Sequence, residues 1–133
     1  GGEQHRNLPP KTMTRGIGTV CWLAPEVIKH GHGSERIDVY SFGIVLWEIA
    51  TREEVYTHLS AAQVLARVAN DGMRPTLPRG CPWASVMQAC WHEDPAARPG
   101  FDQVLHALRS LLNDALILEQ QQLQHQQHQQ QQE

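Results

Sequence analysis

No apolar run in this chain approaches the roughly 20 residues needed to cross a bilayer. The longest apolar segment, within Ser34–Arg52, is broken by Asp38, Glu48 and Arg52, which argue against a membrane anchor. Positive charge is not in excess either. Lys and Arg together number 11 against 14 Asp and Glu, giving a formal net charge of -3, and the basic residues are scattered. That excludes the basic stripe of a nucleic-acid binder. Cysteine is scarce: Cys21, Cys81 and Cys90 are an odd number at no metal-ligand spacing. They fit free thiols in a reducing, cytoplasmic compartment rather than a disulfide scaffold. The first fifteen residues are polar and lack the apolar centre of a secretion signal. No stretch shows the period-two alternation of a strand.

What is present suits one helical domain. The 133 residues are 41% hydrophobic and 19% charged, ordinary for a globular core. Residues 1–19, with Pro9-Pro10, Gly16 and Gly18, read as loop. Pro25 suits the first turn of a short helix ending at His30, before Gly31 and Gly33. Ser34 is a candidate N-cap for a helix over Glu35–Arg52, whose interior "DVYSFGIVLWEIA" is apolar on nearly every side and predicts a buried central helix. Ser60 caps a helix over Ala61–Asn70 that stops at Gly72. A fourth helix is expected over Pro82–Trp91, then the loop "HEDPAARPG". A fifth over Phe101–Leu118 has Val104, Leu108, Leu111, Leu112, Ala115 and Leu116 on one face. Residues 119–133 change composition: Gln120–Gln132 holds ten Gln, two His and one Leu. Such a tract buries too little apolar area to offset its ordering entropy, which predicts a disordered tail or a frayed extension of the last helix.

The stretch "GTVCWLAPEV", Gly18–Val27, sets a carboxylate, Glu26, in a run that otherwise favours burial. A buried carboxylate needs a partner. Arg98, in the polar loop between Trp91 and Phe101, is the strongest candidate for a bidentate pair, with Arg36, Arg52, Arg67 and Arg74 as rivals.

Three segments in order, "GTVCWLAPEV", "DVYSFGIVLWEIATRE" and "CWHEDPAARPGFDQVLHAL", resemble the C-terminal lobe of a eukaryotic protein kinase. The resemblance runs from about Thr12 to Leu112. It implies that Glu26 pairs with Arg98 and staples the activation segment to the helical base. It implies substrate contacts at Thr19, Val20 and Trp22, activation-loop phosphorylation at Thr12 or Thr14, and a structural Asp38 that bonds the backbone of the catalytic loop. Trp22 and "DVYSFGIVLWEI" are similar to the tyrosine-kinase-like group, which includes Raf-like and mixed-lineage kinases. Thr19 stands where true tyrosine kinases carry Pro, which implies Ser/Thr specificity. Val55 departs from a frequent Pro, and Gly100 from a frequent Ser or Thr cap.

No "HRD", "DFG", "VAIK" or Gly-rich strand-turn-strand occurs in the chain. Phosphoryl transfer needs all four. The resemblance therefore covers the part of a kinase after the metal-binding Asp. The expectation is that the parent protein uses ATP and Mg, that this portion binds neither and is inactive alone, and that an exposed apolar patch marks the missing neighbours. A kinase-derived pseudokinase scaffold is the alternative, and an unrelated helical interaction domain a further one. Protein substrates and upstream kinases are the expected partners. His30 and His32 read as turn residues rather than metal ligands, and Cys21 as a packed rather than redox-active thiol.

Overall fold

The computed structural model describes residues 20–132. The loop expected over residues 1–19, with Thr12, Thr14 and Thr19, lies outside the described residues. Five α-helices follow in order: α1 (Pro25–His30), α2 (Arg36–Thr51), α3 (Ala61–Asp71), α4 (Ala84–Cys90) and α5 (Phe101–Gln132). A single 3₁₀ turn, Pro95–Ala97, sits between α4 and α5. No strand occurs among the described residues. The fold is mainly helical, as the sequence predicts.

Local chemistry sets most of the helix ends. Pro25 occupies the first turn of α1, where its missing N–H costs nothing, and Gly31 closes the helix in the left-handed region. Ser60 caps α3 reciprocally: its Oγ accepts from the Gln63 N–H at 3.2 Å, and Gln63 Oε1 accepts from the Ser60 N–H at 2.9 Å. Ser34 acts one residue earlier than expected. Its Oγ accepts from the Arg36 N–H, but Glu35 takes the cap position with a helical backbone and no side-chain cap. The fourth helix is shorter than the Pro82–Trp91 span expected, because Pro82 and Trp83 form a turn before it.

The core gathers on α2. Val39, Tyr40, Ile44, Leu46 and Trp47 are buried, together with Val64 and Val68 of α3, Val86, Met87 and Cys90 of α4, and Val104 of α5. α2 and α4 approach closely because position 43 is glycine. A Cβ there would lie 2.9 Å from the Cβ of Cys90 and 3.2 Å from the carbonyl oxygen of Met87. α2 is not covered all round, however: Ile49 is 59% exposed and Asp38 is exposed.

α5 departs most from expectation. Val104, Ala107, Leu108 and Leu111 meet the core, but from Leu112 onward every described residue is exposed, including the expected face residues Leu112, Ala115 and Leu116. Where the sequence offers either a disordered tail or a frayed extension of the helix after Leu118, the helix continues to Gln132. Burial does not explain this, but local preference does. Gln is a good helix former, and neither Gly nor Pro interrupts the tract. Side-chain bonds one turn apart, Gln129 to His125 and Gln132 to His128, run along it.

Gly43→Ala tests the close approach. On propensity alone the change favours a helix by about 1 kcal/mol. Here the clash with α4 should reverse that sign and lower stability by about 1–3 kcal/mol. The shift in urea midpoint measures it, and a midpoint that rises would show that the two helices part without cost.

Candidate functional site

α1 is short and points its first-turn carboxylate, Glu26, toward the loop before α5. There Asp94 caps the 3₁₀ turn, its Oδ1 accepting from the Ala96 N–H at 3.0 Å. That turn delivers Arg98 into the interior. The Arg98 side chain is 0% exposed and that of Glu26 14%. Arg98 Nη1 donates to Glu26 Oε2 at 2.6 Å and Nη2 donates to Glu26 Oε1 at 2.8 Å. The pair is bidentate, the geometry a guanidinium fork makes best.

The three remaining N–H groups of Arg98 are also used. Nε donates to the His92 carbonyl at 2.8 Å, Nη1 to the Arg36 carbonyl at 3.1 Å, and Nη2 more loosely to the Glu93 carbonyl at 3.5 Å. Arg36 returns the contact, its Nη1 donating to the Arg98 carbonyl. Of the sequence-level candidates for Glu26, Arg98 is therefore the partner. The rival Arg36 supports it from the start of α2.

Neighbours hold this pair. The Arg98 and Arg74 guanidinium carbons lie 5.2 Å and 5.1 Å from the Tyr40 ring centroid, both within cation–π range. Arg74 Nη2 donates to Glu93 at 3.1 Å, and Lys29 adds a looser contact to Glu93 at 3.6 Å. Gly33 leaves room for the carboxylate: a Cβ there would lie 2.9 Å from Glu26 Cγ. Burial alone would push the Glu26 carboxyl up. The Arg98 hydrogen bonds, a backbone bond and the charges of Arg98 and Arg74 outweigh it and hold the carboxyl below its usual range.

The remaining predicted positions divide. Val20 is buried, so its side chain packs in the core. Trp22 is 40% exposed; its indole Nε1 donates to Glu48. Asp38 is exposed and makes no side-chain hydrogen bond among the described residues. Cys21 is buried, its thiol donating to the Val55 carbonyl at 3.6 Å. Burial, with the charges of Glu48 and Glu54 behind it, pushes that thiol up to about 11, so it stays protonated at neutral pH. Trp47 and Trp91 are core residues. Sequence reasoning missed Tyr40 and Glu93 in this cluster, because no local spacing relates either to Glu26.

This geometry belongs with the comparisons. The profile of the protein tyrosine and serine/threonine kinase family matches residues 4–108. The chain belongs to the protein kinase family. It is similar to a probable serine/threonine-protein kinase of Dictyostelium discoideum, 39% identical over 101 residues, which is 74% of this chain and 11% of that protein. The probable serine/threonine-protein kinase drkA of the same organism is 42% identical over 102 residues, 75% of this chain and 16% of the relative. The serine/threonine-protein kinase STY17 of Arabidopsis thaliana is 38% identical over 104 residues, 77% of this chain and 18% of the relative. The chain thus spans less than a fifth of the length of these kinases.

Two measurements test the pair. Glu26→Ala and Arg98→Ala should each cost about 3–5 kcal/mol, because each strands a buried charge. The double variant should cost far less than their sum, and a denaturant double-mutant cycle reads the coupling. Additive losses would mean that the two side chains act independently. The pair also sets a pH dependence. Because the folded-state Glu26 carboxyl lies below its unfolded value, its contribution is complete above the ordinary carboxylate range and is lost as pH falls through the folded value. Acid titration of the thermal midpoint should show this loss in the native chain and lose it in Glu26→Gln.

Proposed function

We propose that this chain is the activation-segment and helical-base portion of a Ser/Thr protein kinase of the tyrosine-kinase-like group. The observation that carries the reading is the buried bidentate Glu26–Arg98 pair, which ties the segment Val20–Glu26 to the helical base. The printed names of the relatives, all serine/threonine kinases, support Ser/Thr as the acceptor. So does Thr19, where a Pro would suit a tyrosine acceptor. The parent protein would move the γ-phosphate of ATP to Ser or Thr hydroxyls of protein substrates. Thr19, the Val20 backbone and Trp22 would shape the substrate-reading segment. Thr12 and Thr14 would be phosphorylation sites for an upstream kinase, since a phosphate there adds charge that orders a loop through Arg contacts. Three unpaired thiols accord with a cytoplasmic setting. No helix among the described residues is long and apolar enough to cross a membrane.

The described residues do not offer a donor set for ATP and Mg. No group of three or more His, Cys, Asp or Glu among the described residues could hold a metal ion. The sequence offers no Gly-rich phosphate cradle. No catalytic step is assigned to these residues. Their work is positional: the segment that meets the substrate is fastened at Glu26 to a helix bundle, so a hydroxyl can be presented in a fixed place.

The full-length protein and this chain should be assayed side by side with ATP, Mg and a generic Ser/Thr/Tyr protein substrate. The full-length protein should place phosphate on Ser or Thr, and this chain alone should transfer none. A folded but silent full-length protein would favour a pseudokinase scaffold. Phosphate on Tyr alone would overturn the reading of Thr19.

A further inference from the structure

Trp22 is the large side chain of the Val20–Pro25 segment that burial does not hold. Its neighbours Cys21 and Ala24 are 1% and 0% exposed, while Trp22 is 40% exposed. Polar contacts to α2 fix it instead. Its Nε1 donates to Glu48 Oε1 at 2.7 Å, a charge-assisted bond, and its backbone carbonyl accepts from Ser41 Oγ at 2.7 Å. The same hydroxyl lies 3.4 Å from the Ile37 carbonyl, a longer and weaker alternative. Ser41 and Glu48 are seven residues apart, two helical turns, and so share one face of α2. One grips the backbone of Trp22 and the other its ring, both from a rigid helix.

We infer that Ser41 and Glu48 are positioning residues that clamp Trp22 to α2 and thereby set the affinity of the substrate-reading segment for a protein substrate. They act through Trp22 and take no part in the chemistry. The inference rests on the kinase reading above. The surface it fixes is an exposed indole face beside the buried start of the segment, and its occupant is the extended peptide that carries the acceptor hydroxyl. Glu48 Oε2 has no hydrogen-bond partner among the described residues, so the clamp uses a single carboxylate oxygen.

The test uses steady-state kinetics of the full-length kinase on a Ser-containing peptide. Glu48→Ala should raise the peptide KM by about tenfold, the effect of one hydrogen bond to a charged group. The KM for ATP should stay unchanged. Glu48→Gln keeps an acceptor oxygen and should recover most of the loss, and Ser41→Ala should again raise only the peptide KM. An unchanged peptide KM, or an equal loss in both KM values and kcat, would overturn the inference.

A second readout does not depend on activity. In the 133-residue chain, the fluorescence contributed by Trp22 is the difference between the native chain and Trp22→Phe. Glu48→Ala should shift that difference to the red and make it easier to quench, and Glu48→Gln should not. An unaltered difference spectrum would overturn the clamp even if the peptide KM rose, since Glu48 would then be reading the peptide directly. A full-length protein that transfers no phosphate would defeat the kinase reading instead, and the fluorescence arm would still decide whether the clamp exists.

Discussion

A guanidinium with no contact to water must have all five of its N–H groups answered by protein. Arg98 is such a group, and much of the structure is arranged around that demand. Glu26 comes from α1, the Arg36 carbonyl from the start of α2, and the His92 and Glu93 carbonyls from the loop before α5. The start of α2 and the first turn of α1 thus meet, across more than 60 residues, the loop that carries Arg98. The attraction of a buried ion pair is largely cancelled by desolvation, so its net contribution to stability is modest. Its contribution to geometry is not modest: the fork accepts one orientation of the carboxylate, and a lysine in its place would accept many. The pair fixes where α1 lies, and with it the segment that leads into α1.

Tyr40 forms the floor of this arrangement. Its ring lies between the Arg98 and Arg74 guanidiniums, so one aromatic face set serves two cations. The cost appears at the hydroxyl, which is buried and has no hydrogen-bond partner among the described residues. Burial raises the phenol to about 12 against the lowering effect of the two arginines, so it stays neutral at physiological pH. An unsatisfied hydroxyl is unfavourable by about 1–3 kcal/mol. Two desolvated cation–π contacts are of the same order and offset it. The ring, not the hydroxyl, explains Tyr40 at this position.

How much of this the sequence discloses depends on the range of the interaction. Ser60 is legible as a cap, and the structure adds its reciprocal bond with Gln63, three residues later. Pro25 and Gly31 likewise bracket α1. Glu26 is legible as a carboxylate that needs a partner, but five arginines compete for it, and composition does not rank them. Arg98 emerged from resemblance, and the bidentate contact across 72 residues bears it out. Tyr40, Glu93 and the role of Arg36 were not legible, because nothing local relates them to Glu26. The end of α5 was left open, as a disordered tail or a frayed extension of the helix, for a different reason. The expectation weighed burial, whereas the Gln tract is governed by propensity and by bonds one turn apart, which need no core. The start of α5 shows the same local economy: Gly100 offers no cap, yet its N–H is answered at 2.9 Å by Gln103 Oε1.

The position of the Val20–Glu26 segment follows from having two fixed points rather than one. Glu26 ties its far end to Arg98, and Trp22 ties its middle to Ser41 and Glu48. Ala24 between them and Cys21 just before them are packed without access to water, which further restricts the segment. Both fixed points lead to α2: directly for Trp22, and through the exchange of bonds between Arg98 and Arg36 for Glu26. A displacement of α2 would therefore move both ends together, while loss of one contact would tilt the segment about the other. That makes α2, held against α4 at Gly43, the frame of reference for the site. The open stripe of α2 is consistent with that role. Ile49 remains exposed, and Phe42 meets the half-exposed Phe101 edge-to-face at 5.6 Å, leaving apolar surface beside the helix that carries both anchors. The same helix thus holds the Val20–Glu26 segment on one side and presents apolar surface on another, its frame kept by its own backbone hydrogen bonds.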